Sequence, residues 1–322
     1  MSRRLGADPS ARVVGQRNRM APTISVVIPA RNEAENLPAV VSRLPADIFE
    51  VILVDGHSTD ATVEVARDLL PHLRIFHQEG RGKGDALAMG FAAARGDIIV
   101  MLDADGSADA AEIPRFVAAL LAGADFVKGS RFAQGGGSSD ITVARRLGNR
   151  ALCALVNRAY GMVYTDLCYG YNAFWADCLP LLHAAWPGSA VPTSASAPFG
   201  TGFEVETTMN IRAAKAGLTV WEVPSFERPR IHGQSNLNAL RDGTRILRAI
   251  WQESPGRALR RERAALAEFS HAPHVPTTPV TLVPADNRVL HAALSADEVL
   301  VTAPRQETAN GNGHVATLNG RK

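Results

Sequence analysis

Apolar residues in this chain fall into short runs separated by stretches of mixed polarity. Residues 24–28 (ISVVI), 51–54 (VILV) and 98–102 (IIVML) are nearly continuous apolar segments of strand length. Such runs suit strands buried on both faces, as in a parallel sheet. Between them the period lengthens to three and four. Leu37, Val40, Val41 and Leu44 share one side of a helix predicted over residues 33–44. Residues 62–70 and 85–95 read as further helices, and residues 73–77 as a third strand. The alternation continues with a helix over 110–122, a strand over 125–129, helices over 142–160 and 203–216, and a strand over 218–223. A last helix, 239–253, carries Leu240, Leu247, Ile250 and Trp251 on one side, with Arg241, Arg245 and Arg248 near the other. Glycine-rich or Ser/Pro-rich segments at 80–84, 135–140 and 187–202 read as loops. Strands alternating with helices at this spacing predict an α/β fold with a mostly parallel sheet covered on both faces.

The apolar runs end in chemistry. The run at 98–102 stops at Asp103 and Asp105, followed by Gly106, and 51–54 stops at Asp55. The first run leads into Pro29, Arg31 and Glu33. Ligands of open α/β sheets bind beyond the carboxyl ends of strands, so neighbouring strands would converge these groups on one crevice. Two carboxylates one residue apart on a turn can share a hard cation with phosphate oxygens; they equally suit a turn that starts a helix. Asp55 could accept from the imide edge of a base or from ribose hydroxyls, or serve as a turn residue. Gly80-Arg-Gly-Lys-Gly84 looks like a phosphate cradle but lacks the GxxxxGK[ST] spacing. Lys83 and Arg81 are placed to meet a pyrophosphate, or to be solvated on a turn.

Bulk properties narrow the classes. A formal net charge of +2 over 322 residues gives no pull towards nucleic acid. Cys153, Cys168 and Cys178 form no CxxC pair, so neither a disulfide framework nor a zinc site is indicated. No apolar run reaches membrane-spanning length and no signal-peptide core leads the chain, which predicts a cytoplasmic protein whose membrane contact is peripheral, at the inner face. The expected organisation is a disordered basic arm over 1–22 and an enzyme domain over 23–253. A basic helix extension and a largely disordered, Pro/Thr/Ala-rich tail follow over 254–322.

Four segments taken together carry a resemblance: ISVVIPARNEAENLPAVV, VILVDGHSTDAT, GRGKGDALAMGFAAARGDIIVMLDADGS and DFVKGSRF. In this order they resemble the family 2 glycosyltransferases of the GT-A fold, a Rossmann-like α/β/α sandwich, over residues 24 to about 248. The nearest subgroup is the dolichyl- or polyprenyl-phosphate mannosyltransferase-like enzymes. The resemblance implies that Pro29, Arg31 and Glu33 line a nucleotide pocket, with Val54 and Asp55 at the base and Asp85 in support. It implies that Asp103 and Ala104 contact ribose and phosphate, and that Asp105 ligates Mg2+ or Mn2+ on the pyrophosphate. The mannosyltransferase pattern has a metal-binding Gln where this chain has Ser107, which completes the expected metal set of Asp103, Asp105 and Ser107.

Arg131, in the GSRF segment, and the pair Arg145 and Arg146 are candidate phosphate contacts, or ordinary surface charges. The segment RPRIHGQSN resembles the family's phosphate-gripping loop: Arg230, Gly233 and Ser235 match, Asn236 replaces the usual Lys, and His232 is a possible phosphate or metal partner. Glu206 lies where related enzymes place an acidic base; it and Glu204 equally suit the first turn of a helix. The implied activity is inverting hexosyl transfer from a GDP- or UDP-linked sugar, with Asp105, Glu206 and Arg230 as the catalytic candidates. The expected acceptor is a polyprenyl phosphate at the cytoplasmic membrane face. The alternatives are a soluble enzyme with a small hydroxyl acceptor, such as a phosphoglycerate or a sugar, and a non-catalytic nucleotide-sugar-binding protein. A hydroxyl acceptor needs a general base, whereas a phosphate is already an anion.

Overall fold

The structure, a computed structural model, describes residues 17, 19–183, 202, 204–233 and 239–253. Asn236, most of the 187–202 loop and the tail after residue 253 lie outside them. The apolar runs form the predicted strands: β1 (Ile24–Ala30), β2 (Glu50–Asp55), β3 (Arg74–His77) and β4 (Ile98–Met101). Helices α1 (Leu37–Val41), α2 (Thr62–Leu69) and α3 (Lys83–Ala93) connect them. The second half contributes α4 (Ile113–Leu121), β5 (Phe126–Ser130), β6 (Gly137–Ser138), α5 (Val143–Tyr160), β7 (Asn172–Trp175) and α6 (Leu179–His183). It ends with α7 (Glu204–Lys215), β8 (Val220–Pro224), β9 (Phe226–Glu227) and α8 (Ala239–Gln252).

Seven strands form one sheet in the order β3-β2-β1-β4-β7-β5-β8. Every pairing is parallel except those of β7, which runs antiparallel to both β4 and β5. Val26, Val27, Ile28, Ile52, Val54 and all four residues of β4 have no solvent exposure, as two-sided coverage requires. Phe174 of β7 meets Phe91 of α3 edge-on at 5.3 Å and stacks on Phe126 of β5 at 5.6 Å, which seats α3 over the sheet.

Several expectations change. The helix predicted from residue 33 begins at Leu37. Pro38 suits a first helical turn. Glu33 stands apart from the helix, its amide donating to Thr62 Oγ1 at 2.8 Å. Strand β7 was not legible in the sequence. The 135–140 loop contains β6, which pairs parallel with β9. Arg17, expected in a disordered arm, is docked: its guanidinium bonds Asp125 at 2.7 Å and Asp177 at 2.9 Å, over the Trp175 ring. Among the described residues, no helix is long and apolar enough to cross a membrane, and all three cysteines are free thiols.

Candidate active site

Strands β2, β1 and β4 are sheet neighbours, so their carboxyl ends open on one crevice. Ala30 is in register with Asp55, and Met101 of β4 sits two residues before Asp103. Asp55 is buried, accepts weakly from the Ser58 amide (3.3 Å), and has His77 Nδ1 at 3.4 Å. Pro29 and Val54 lie in the paired strands as register partners, so they form the floor beneath these groups. Arg31 is exposed at the mouth.

The glycine-rich loop is shaped by Asp85. Its carboxylate accepts from the Gly80 amide at 3.2 Å and from Gln78 Nε2 at 3.0 Å, and Gln78 also donates to the Gly82 carbonyl. Asp85 therefore holds the loop that presents Lys83. The Lys83 ammonium turns inward, 2.6 Å from Asp103 Oδ1 and 2.7 Å from Glu206 Oε1. Burial works against that charge, but the two carboxylates outweigh it and hold Lys83 above its ordinary range. Burial pushes the Glu206 carboxyl up, Lys83 opposes this, and the like charge of Asp103 adds to it. Glu204, one turn end away, bonds the Gly202 amide instead.

Asp105 faces the other cation. Its Oδ1 accepts from the Ser107 amide at 3.0 Å, and its Oδ2 lies 3.4 Å from Arg230 Nη1. Arg230 also forms a close ion pair with Glu33 and donates through Nε to the His232 carbonyl. Burial raises the Glu33 carboxyl, although Asn36 and Arg230 both pull it down. Asn36 anchors this loop: its amide accepts from His232 N at 2.8 Å and donates to Glu33 Oε2 at 2.6 Å. The 228–233 segment thus lies across the acidic turn, with Arg228 N bonded to Ser107 O and Ile231 N to Asp105 O. Gly106 makes room for it. Its φ is +74°, and a Cβ there would sit 2.5 Å from Ile231 Cδ1.

Not every candidate lies in the crevice. Arg131 is held by the buried Asp166 and the partly buried Glu227: it bonds Asp166 at 2.7 and 2.9 Å and Glu227 at 3.1 Å, over the Tyr169 ring. These partners, rather than a phosphate, satisfy its guanidinium. Arg145 and Arg146 stand at the start of α5, the first near Asp140 and the second exposed. The His232 ring is half-exposed beside Glu35, and Ala104 is buried. Sequence reasoning missed Asn36 and Gly170. An Asn just before a Leu-Pro pair is a helix-start signal that could have flagged Asn36; nothing local marks Gly170.

The donor set suits a shared cation rather than a self-contained metal site. Among the described residues no group of three or more His, Cys, Asp or Glu could enclose a metal ion. Two carboxylates with phosphate oxygens from a nucleotide are what Mg2+ ordinarily uses.

Residues 25–178 match the family model described as glycosyl transferase family 2. The chain is 30% identical over 238 residues to glycosyltransferase AglJ of Haloferax volcanii, covering 72% of each chain. It is 32% identical over 226 residues to an undecaprenyl-phosphate mannosyltransferase of Micrococcus luteus, covering 67% of this chain and 87% of that one. Two further archaeal relatives are longer proteins, of which the match spans 55% and 37%. A solved glucosyl-3-phosphoglycerate synthase from Mycobacterium tuberculosis, in complex with Mn2+ and UDP, superposes with a TM-score of 0.55 at 25% identity, covering 72% of this chain and 80% of that one. The fold is therefore of the GT-A type, and the chain belongs to glycosyltransferase family 2, the enzymes of glycosyl transfer.

Proposed function

We propose that this enzyme transfers a hexose, with inversion, from a UDP- or GDP-linked donor to the phosphate of a polyprenyl phosphate at a membrane face. The observation that carries the donor half is the Asp103/Asp105 turn at the ends of adjacent strands, flanked by Lys83 and Arg230. A nucleotide base would rest near Asp55, with its diphosphate over the acidic turn. Asp103 and Asp105 would hold a Mg2+ or Mn2+ ion together with the diphosphate, and Ser107 lies beside them, its backbone N–H donating to Asp105 Oδ1. That ion would supply neutralisation of the charge that builds on the departing nucleoside diphosphate. Arg230 is a fixed cation beside the same charge, and in a part-buried crevice a preorganised charge acts strongly.

The acceptor half rests on an exposed surface. On α5, Val143, Leu147 and Leu155 face solvent beside Arg146, Arg150 and Arg158. On α8, Leu247 and Trp251 are exposed beside Arg248. The two helices touch, the Tyr160 hydroxyl donating to the Glu253 carbonyl at 2.7 Å. Apolar side chains mixed with arginines on adjoining helices suit the headgroup region of an anionic bilayer, where a lipid phosphate would be met. The relative from Micrococcus luteus, an undecaprenyl-phosphate mannosyltransferase, supports the same choice.

A second reading, a small phosphorylated hydroxyl acceptor, is favoured by the likeness to the phosphoglycerate-dependent synthase. The test offers UDP- and GDP-hexoses with either a short polyprenyl phosphate or 3-phosphoglycerate and identifies the glycosylated product by mass. A sugar phosphodiester on the lipid is expected. Product only on the glycerate would replace the first reading with the second.

A further inference from the structure

The position of the Lys83 ammonium bears on the acceptor. Lys83 comes from the start of α3, Asp103 from the turn after β4 and Glu206 from the first turn of α7, and all three meet within hydrogen-bond distance. The chain closes over them at Gly170, where a Cβ would fall 2.9 Å from both Asp103 Oδ2 and Lys83 Nζ and 3.2 Å from Glu206 Oε1. The other Glu206 oxygen, Oε2, is buried and makes no hydrogen bond among the described residues, as is true of the Asn172 amide and the Thr207 hydroxyl. Lys128, fully buried on the strand that pairs with Asn172, donates to the Tyr169 carbonyl.

This arrangement counts against Glu206 as a proton acceptor. A general base needs an oxygen facing its substrate, whereas here one oxygen is held by an ammonium and the other is buried. It also removes a charge problem. A phosphate approaching a sugar beside Asp103 and Asp105 would be repelled by any further bare carboxylate in a low-dielectric crevice. We propose that Lys83 is the positioning residue that adapts this pocket to an anionic acceptor, its single charge offsetting that of Glu206 beside Asp103. Glu206 is then its counter-ion and takes no proton. This deepens the lipid-phosphate reading of the site and rests on it.

The experiment measures the KM for a short-chain polyprenyl phosphate and, separately, the Kd of the nucleoside diphosphate for wild type, Lys83→Met, Glu206→Gln and the double variant Lys83→Met/Glu206→Gln. Leaving Glu206 unneutralised in Lys83→Met raises the acceptor KM roughly tenfold to a hundredfold, the scale of one charge about 6–12 Å away at an effective dielectric of about 20. Removing both charges together in the double variant recovers most of that loss. Gly170→Ala keeps every charge but pushes the ammonium off its partners, and shifts acceptor KM in the same direction by a smaller factor. This second route remains open should Lys83→Met fold poorly.

The inference is overturned if wild type glycosylates the lipid phosphate while the double variant is as impaired as Lys83→Met. It is also overturned if Lys83→Met weakens only nucleoside diphosphate binding. If wild type makes no lipid product and Glu206→Gln abolishes transfer to a hydroxyl acceptor, the lipid-phosphate reading fails first and takes this inference with it.

Discussion

Replacing Arg131 by Met separates a structural role from a ligand-binding one. Its guanidinium occupies the gap between Asp166, which has no solvent exposure, and Glu227, and is itself only 9% exposed. Met keeps much of the stem volume and removes the charge. Asp166 then retains the amides of residue 131 and Cys168, at 3.2 Å each, and the nearby charge of Lys128. Glu227 retains the Ser138 hydroxyl at 2.5 Å. Breaking a buried pair by deleting one partner costs about 3–5 kcal/mol, and the compensation from Lys128 places this variant near the lower end. For a domain of this size that corresponds to a Tm drop of roughly 6–12 °C.

The pH profile gives a second check. Burial opposes the Asp166 charge, but the hydrogen bonds and charge of Arg131 win and hold its carboxyl below the usual range. A carboxyl depressed in the folded state contributes stability above its unfolded pKa and loses it as pH falls through the folded value. The gap between wild type and Arg131→Met is therefore full at neutral pH and narrows below about pH 4. Urea denaturation across pH 3–8 reads both quantities, with an unchanged slope expected alongside the lower midpoint. If stability stays within about 0.5 kcal/mol of wild type while donor or acceptor KM rises, Arg131 contacts a substrate and the argument fails.

Gly106→Ala introduces a Cβ at positive φ against Ile231; it should cost about 1–2 kcal/mol and raise protease sensitivity in the 228–233 loop, measured by limited proteolysis. Asn36→Ala removes the bond donated to Glu33 and the one accepted from His232 N and should weaken nucleoside diphosphate binding, seen by titration, with about 1–3 kcal/mol lost from stability. Arg17→Ala removes the bonds to Asp125 at 2.7 Å and to Asp177 at 2.9 Å; it should lower the urea midpoint while leaving turnover per folded enzyme unchanged.

The fold was legible where burial is two-sided. β1, β2 and β4 are apolar runs because helices cover both faces, and their order follows from parallel crossovers. β7 was hidden because it is four residues long and begins with Asn172, a buried polar residue set against Lys128. Within the site, groups at strand ends could be located because the sheet alone brings them together. The pairing of Lys83 with Glu206 spans 123 positions and that of Arg131 with Glu227 spans 96. No local pattern encodes either, so a phosphate-binding motif and a buried ion pair look alike in the sequence.

The most direct test of the donor site is calorimetric titration of wild type and Asp105→Asn with UDP and with GDP, with Mn2+ present and then chelated. Metal-dependent binding of one nucleotide by wild type, lost in Asp105→Asn, is the predicted result. Binding of equal strength with and without the ion, and in both proteins, would show that the acidic turn beyond β4 does not hold the donor diphosphate.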